Sequence, residues 1–200
     1  MPTFETRDPT APDFWTERFE QEFMPWDRGG VPAQLREFVA GSARPYVTLI
    51  PGCGTGYEVA CLVEAGWDVT AIDFSEAAVE GARRVLGPLA NRVRQADFFD
   101  FVPSHPVELI YERAFFCALP PRMRKDVVAR WAELLPPGGL LVGYFFFSDA
   151  PKGPPFGIPA VELDGLMVPF FEQVADEVAA DSLPVFAGKE RWQVWRRRSS

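Results

Sequence analysis

Histidine is almost missing from this chain: in 200 residues there is one, His105, set between Ser104 and Pro106. Cysteine is scarce as well. The three, Cys53, Cys61 and Cys117, are an odd number without the paired spacing of a zinc site, so no metal is expected. Long apolar runs are absent too, since none approaches the roughly 18 residues of a spanning helix. The N-terminus has no charged-then-apolar export pattern, and a reduced, cytoplasmic setting is expected. Positive charge is in deficit: 20 Lys and Arg against 28 Asp and Glu leave a net −8. Such a protein has little long-range attraction for nucleic acid or an anionic membrane, which favours a small-molecule partner. The basic cluster Arg196, Arg197 and Arg198 reads as a solvated tail.

What is present is a core. Hydrophobic residues make up 48% and aromatics 14%, no composition break divides the chain, and one domain over residues 1–200 is expected, with a monomer plausible. Asp13 reads as the cap of a first helix bearing Phe14, Trp15, Arg18 and Phe19, and Pro32 opens a second through Val39. Strands are expected at residues 47–50, 67–72, 93–96, 107–111, 140–147, 183–186 and 192–196. Helices alternate with them at about 56–65, from Ser75 to Gly87, from Pro121 with Val127 and Trp131 inward, and near 160–171. This alternation implies a Rossmann-like, doubly wound sheet of seven mostly parallel strands in three α/β/α layers. The last strand is close enough to its predecessor in sequence for an antiparallel hairpin.

Function concentrates in one stretch, Ile50-Pro-Gly-Cys-Gly-Thr-Gly56. Strand, glycine-rich turn and helix follow one another, and glycines there permit positive φ and close approach of a ligand to a helix start. In a doubly wound sheet, ligands bind beyond the C-terminal strand ends. The dinucleotide fingerprint needs a third glycine, which is Tyr57 or Val59 here. Gly52, Gly54 and Gly56 instead resemble the pattern of class I S-adenosylmethionine-dependent methyltransferases. Asp73, at the end of the second strand, suits a ribose diol, or else serves only as an N-terminal charge for the next helix. Asp97 suits an exocyclic adenine amine, with Phe98 covering the base; the alternative is a turn aspartate beside a core ring.

Beyond these marks the chain resembles the thiopurine methyltransferase family and, within it, the plant-type halide and thiol methyltransferases. The resemblance rests on Phe14-Trp15, Pro25-Trp26-Asp27, the glycine stretch, Ala71-Ile-Asp-Phe-Ser-Glu76, Phe115-Phe-Cys-Ala-Leu119 with Met123-Arg124, and Gly153-Pro-Pro-Phe156. It implies that residues 1–41 form a helical cap over the cofactor, with Trp15, Phe19 and Trp26 lining the pocket and Phe74 beside Asp73 in the cofactor site. Aromatic faces attract a sulfonium cation, which agrees with that role. Arg113 stands where the plant halide enzymes carry a tyrosine and thiopurine enzymes an arginine. It is expected to position substrate or cofactor, or to be structural, paired with Glu112 or Asp97.

The expected reaction is methyl transfer from S-adenosylmethionine to a soft nucleophile, above all the sulfur of a small thiol or thiopurine-like compound. Halide or thiocyanate, or N or O of a small heterocycle, are alternative acceptors. A non-catalytic cofactor-binding protein and a nicotinamide-dependent oxidoreductase are the readings from other classes. The loop of residues 148–159 reads either as a lid or as a rigid excursion.

Overall fold

The computed structural model describes residues 2–186 and 188–199. Its first strand, β1 (Val47–Pro51), runs through the glycine turn into α3 (Tyr57–Glu64), which two earlier helices precede, α1 (Pro12–Glu20) and α2 (Ala33–Gly41). Next come β2 (Asp68–Asp73), α4 (Glu76–Leu86), β3 (Val93–Gln95) and β4 (Leu109–Arg113). Then α5 (Arg124–Leu134), β5 (Leu140–Phe146), α6 (Ala160–Met167), β6 (Phe171–Val178) and β7 (Glu190–Arg197) complete the chain. The strands form one sheet in the order β3-β2-β1-β4-β5-β7-β6, and β7 runs antiparallel to both its neighbours. Strand order reverses between β1 and β4, the switch point at which such sheets open a crevice.

Adjacent residues of the central strands point into opposite cores. Leu49, Ile110 and Leu141 join Val127, Trp131 and Leu163 under α5 and α6. Ile50, Tyr111 and Val142 join Leu35, Val59, Leu62, Val79 and Ala82 under α2, α3 and α4. Both faces are covered, so these strands read as continuous apolar runs rather than alternating ones. The three-layer sandwich expected from the sequence is present. No helix among the described residues is long and apolar enough to cross a membrane.

Two local expectations are corrected. Asp13 lies in the first turn of α1, whose N-cap is Ala11, because Pro12 takes the first helical position, where its missing N–H costs nothing. Residues 183–186 form a turn, not a strand, and the partner of β7 is β6. That edge strand, Phe-Glu-Gln-Val-Ala-Asp-Glu-Val, buries only Phe171 fully and exposes its charges, which hides it from a search for apolar alternation. By contrast, Ser75 caps α4 as expected, its Oγ accepting from Ala78 N–H at 3.3 Å.

Candidate functional site

The site begins with the turn after β1. Gly52, Gly54 and Gly56 all have positive φ, at 58°, 52° and 69°. They face different things. A Cβ on Gly52 would stand 2.6 Å from the Phe115 ring, and one on Gly56, the N-cap of α3, would touch Ala82 and Leu86. Gly54 alone faces open space, with only Phe19 Cζ at 3.5 Å. Gly52 and Gly56 thus let the turn pack against its own protein, while Gly54 and Gly52 line the cavity beside it.

Asp73, at the end of β2, binds this turn in place. Its Oδ2 accepts from Gly54 N–H at 3.1 Å and its Oδ1 from Ser75 N–H at 3.0 Å. Burial pushes its carboxyl up to about 6, against the opposing pull of those backbone donors. A carboxylate offers about four lone-pair sites, so acceptor capacity remains on both oxygens. Phe74 follows and lines the same cavity. Past β3, Asp97 accepts from Phe99 N–H with Oδ1, at 2.9 Å, and is otherwise exposed. Phe98 is buried, edge-on to Phe115 at 5.0 Å.

Over these strand ends lies the N-terminal segment. Trp15 and Phe19 of α1 and Trp26 of the following loop are half-buried and meet edge to face, at 5.4 Å for Trp15 with Trp26 and 6.2 Å for Phe19 with Trp26. The Trp15 indole donates to Pro9 O at 2.8 Å, which fixes its orientation. Two contacts fasten the loop. Thr55 of the glycine turn donates its hydroxyl proton to Asp27 Oδ2 at 2.8 Å, and Arg28 pairs with Asp181, before β7, at 3.0 Å. Thr16 of α1 shares a 3.0 Å hydrogen bond with Ser75. Strand ends and cap together enclose a cavity of about 740 Å³. Trp15, Phe19, Trp26, Gly52, Gly54, Asp73, Phe74, Asp97, Phe98 and Arg113 all line it; Gly56 does not.

Arg113 ends β4 and has a partner that the sequence did not suggest. Its Nη1 donates to Glu190 Oε1 of β7 at 3.2 Å, rather than to Glu112 or Asp97. The guanidinium lies 4.4 Å over the Tyr144 ring. Its Nη2 is buried and has no partner among the described residues. Glu112, beside it, faces the protein interior: Oε1 accepts from Phe116 N–H, and burial pushes the carboxyl up to about 8. The turn of residues 114–118 that it holds carries Phe115, Cys117 and Ala118 into the cavity wall. The loop 148–159 is tied down: Phe156 N–H donates to Cys117 O at 2.6 Å, Ile158 N–H to Phe146 O at 3.1 Å, and Arg124 to Gly157 O. Its Gly153, Pro154 and Pro155 reach the cavity. Asp27, Thr55 and Glu58 also line the cavity, and Glu190 reaches it through Arg113; Asp27 and Thr55 stand inside the quoted motifs and Glu58 two residues past the last glycine, whereas nothing local marks Glu190.

A family model for thiopurine S-methyltransferase (TPMT) matches residues 10–198. The chain belongs to this family. As a member of the thiopurine S-methyltransferase family, it is an S-adenosylmethionine-dependent methyltransferase. Among its relatives, "Thiocyanate methyltransferase 1" of Arabidopsis thaliana is 30% identical over 194 residues, covering 92% of this chain and 84% of the relative. "Thiopurine S-methyltransferase" of Vibrio atlanticus (strain LGP32) is 27% identical over 198 residues, covering 89% and 91%. The same fold occurs in the Burkholderia thailandensis 1,6-didemethyltoxoflavin-N1-methyltransferase, at a TM-score of 0.74 with 18% identity, over 99% of this chain and 94% of that one. In that crystal structure 1,6-didemethyltoxoflavin and S-adenosylhomocysteine are bound.

The residues present fit the methyl donor. The cavity combines a turn that is open at Gly54, a strand-end carboxylate with spare acceptor sites, the arginine that ends β4 and an aromatic roof. Ribose, amino-acid carboxylate and sulfonium each need one of these.

Proposed function

We propose that this enzyme methylates the sulfur of a small thiol or thiopurine-like acceptor. The observation that carries this reading is the aromatic roof of Trp15, Phe19 and Trp26, fastened over the glycine turn, with room left in the cavity beside it. When bound, S-adenosylmethionine supplies a methyl carbon attached to a sulfonium, already an electrophile with a good leaving group. The protein's part is to hold, orient and keep dry.

Asp73 would accept from the ribose hydroxyls, and Asp97 with Phe98 would hold the adenine. The indole and phenyl faces of the roof attract a desolvated cation by about 0.5 to 2 kcal/mol. Fastening that roof excludes water, and a fixed in-line approach replaces a bimolecular encounter. Arg113 would hold an anionic group on the wall opposite. An acceptor that is already a thiolate needs no base, and an apolar, aromatic wall favours a reaction in which anion and cation neutralise one another.

The enzyme's own thiols do not compete. Cys53 and Cys117 both line the cavity, and burial pushes both well above the ordinary thiol range, so they stay protonated and weakly nucleophilic. Relatives named for thiocyanate, thiol and thiopurine methylation support sulfur as the common acceptor atom. The test offers methyl-labelled cofactor with thiols, sulfide, a thiopurine, thiocyanate and iodide. Transfer to a thiol or thiopurine in preference to iodide is expected. Tight binding of S-adenosylhomocysteine without transfer to any sulfur acceptor would refute the proposal.

A further inference from the structure

Among the described residues four arginines line the cavity, Arg7, Arg18, Arg28 and Arg113, and they are not equivalent. Arg28 is paired with Asp181 and Arg113 with Glu190, while Arg7 is exposed. Arg18, in the last turn of α1, is held in place yet has no carboxylate within ion-pair distance among the described residues. Its guanidinium lies between two rings, with Phe14 at 3.3 Å and Phe4 at 4.1 Å, and its Nη1 donates to Phe14 O. Nε and Nη2 have no protein partner among the described residues and are not buried. The neighbouring carboxylates are engaged elsewhere. Glu17 accepts from Thr6 N–H and hydroxyl at 3.1 and 2.7 Å, and Asp8 from Thr10 N–H and hydroxyl at 3.0 and 2.7 Å.

Rings against its faces leave a guanidinium its in-plane N–H groups, and the Nε–Nη2 edge is the fork that matches both oxygens of a carboxylate. Phe14 and Arg18 form one i, i+4 row of α1, and Trp15 and Phe19 form the row beside it, so this open fork stands next to the aromatic roof. Asp27, Glu58, Asp73 and Asp97 line the same cavity and repel an anion, so a cation that is both fixed and open decides where one can rest. We propose that Arg18 selects the acceptor, by receiving a carboxylate that the thiol carries apart from its reacting sulfur. This assignment rests on the reading of the protein as a sulfur methyltransferase and narrows its substrate class to anionic thiols. The carboxylate takes no part in the bond changes; it fixes where the thiol lies.

Steady-state methylation of 3-mercaptopropionate and of 3-mercaptopropionamide, compared at equal thiolate concentration with saturating S-adenosylmethionine, tests this. The native enzyme should show a KM about 10-fold or more lower for the carboxylate, the effect of a hydrogen bond to a charged group. Arg18→Met keeps an unbranched chain between the two rings. It should lose most of that preference, raising KM for the carboxylate far more than for the amide, with kcat little changed. Arg18→Lys keeps the charge without the fork and should retain only part of the preference. Equal weakening of both acceptors by Arg18→Met would show that Arg18 serves only to clasp Phe4 to α1, and would overturn the assignment. So would a native enzyme with the same KM for both thiols, or a preference that survives Arg18→Met. Transfer to other sulfur acceptors but to neither of these would overturn the assignment alone. Native enzyme that binds S-adenosylhomocysteine and methylates no thiol would overturn the sulfur reading, and the assignment with it.

Discussion

Arg113 of β4 and Glu190 of β7 meet across the strand that separates them. The guanidinium reaches over β5 to a carboxylate 3.2 Å away, with Tyr144 of β5 beneath it, and the other Glu190 oxygen accepts from Ser182 at 2.7 Å. The two side chains are 10% and 3% exposed. Removing one member of so buried a pair strands the other, at a cost of about 3 to 5 kcal/mol. Glu190→Ala is expected to lose stability in that range by urea unfolding. A change within about 0.5 kcal/mol, as at an ordinary surface position, would contradict it.

Glu112 should set an alkaline limit on stability. Its carboxyl is pushed from 4.5 up to about 8 by burial. Between those values the folded protein keeps a proton that the unfolded chain has lost, so stability falls as pH rises, by about 1.4 kcal/mol per unit. Glu112→Gln keeps an oxygen for Phe116 N–H and carries no proton to lose. The variant should match the native protein near its acid limit and exceed it increasingly up to about pH 8, as read by thermal melts across pH.

Asp73 makes a similar prediction in a lower window. Its carboxyl rises from 3.8 to about 6, so folding stability falls with pH across that interval, while the ionised form above it is the better acceptor for a ribose diol. Affinity for S-adenosylhomocysteine should therefore climb as pH passes about 6. Asp73→Ala should lower the plateau about tenfold or more and abolish the climb. A flat pH profile in the native enzyme would contradict the diol role.

Thr55→Val removes the hydroxyl that joins the glycine turn to Asp27 and leaves the side chain's shape. One neutral-to-charged hydrogen bond is lost, worth about 1.5 to 3 kcal/mol at most. The expected result is weaker cofactor binding in calorimetry and faster proteolysis within residues 21–30, with the sheet's unfolding midpoint little changed. Loss of the whole fold would show that the contact serves the core instead.

Which parts of this were legible in the sequence follows from what is local. The strand, glycine turn and helix in succession, the Ser75 cap and the apolar rhythm of Val127 and Trp131 are consequences of neighbours a few residues apart, and each stands where the sequence placed it. Edge strand β6 was missed because its exposed, charged face offers no burial pattern. The Glu190 partner of Arg113 lies 77 residues away, and only the sheet order brings it near. Arg28 and Asp181, 153 residues apart, were invisible for the same reason. Glu58 stands two residues past the last glycine, but that it lines the cavity follows only from the fold.

The loop that carries Trp26 is held by two fasteners of unlike physics. Thr55 with Asp27 is a hydrogen bond to an uncharged hydroxyl, whereas Arg28 with Asp181 is an ion pair whose side chains are 23% and 25% exposed. Dissolved salt weakens the second more than the first, and only modestly, because the pair is closer than the screening length of about 8 Å at physiological ionic strength and is partly buried. Where exchange of spent cofactor for fresh involves movement of this loop, dwell time in the cavity becomes a function of ionic strength. High salt should shorten it by loosening one side of the roof while the other acts as the hinge.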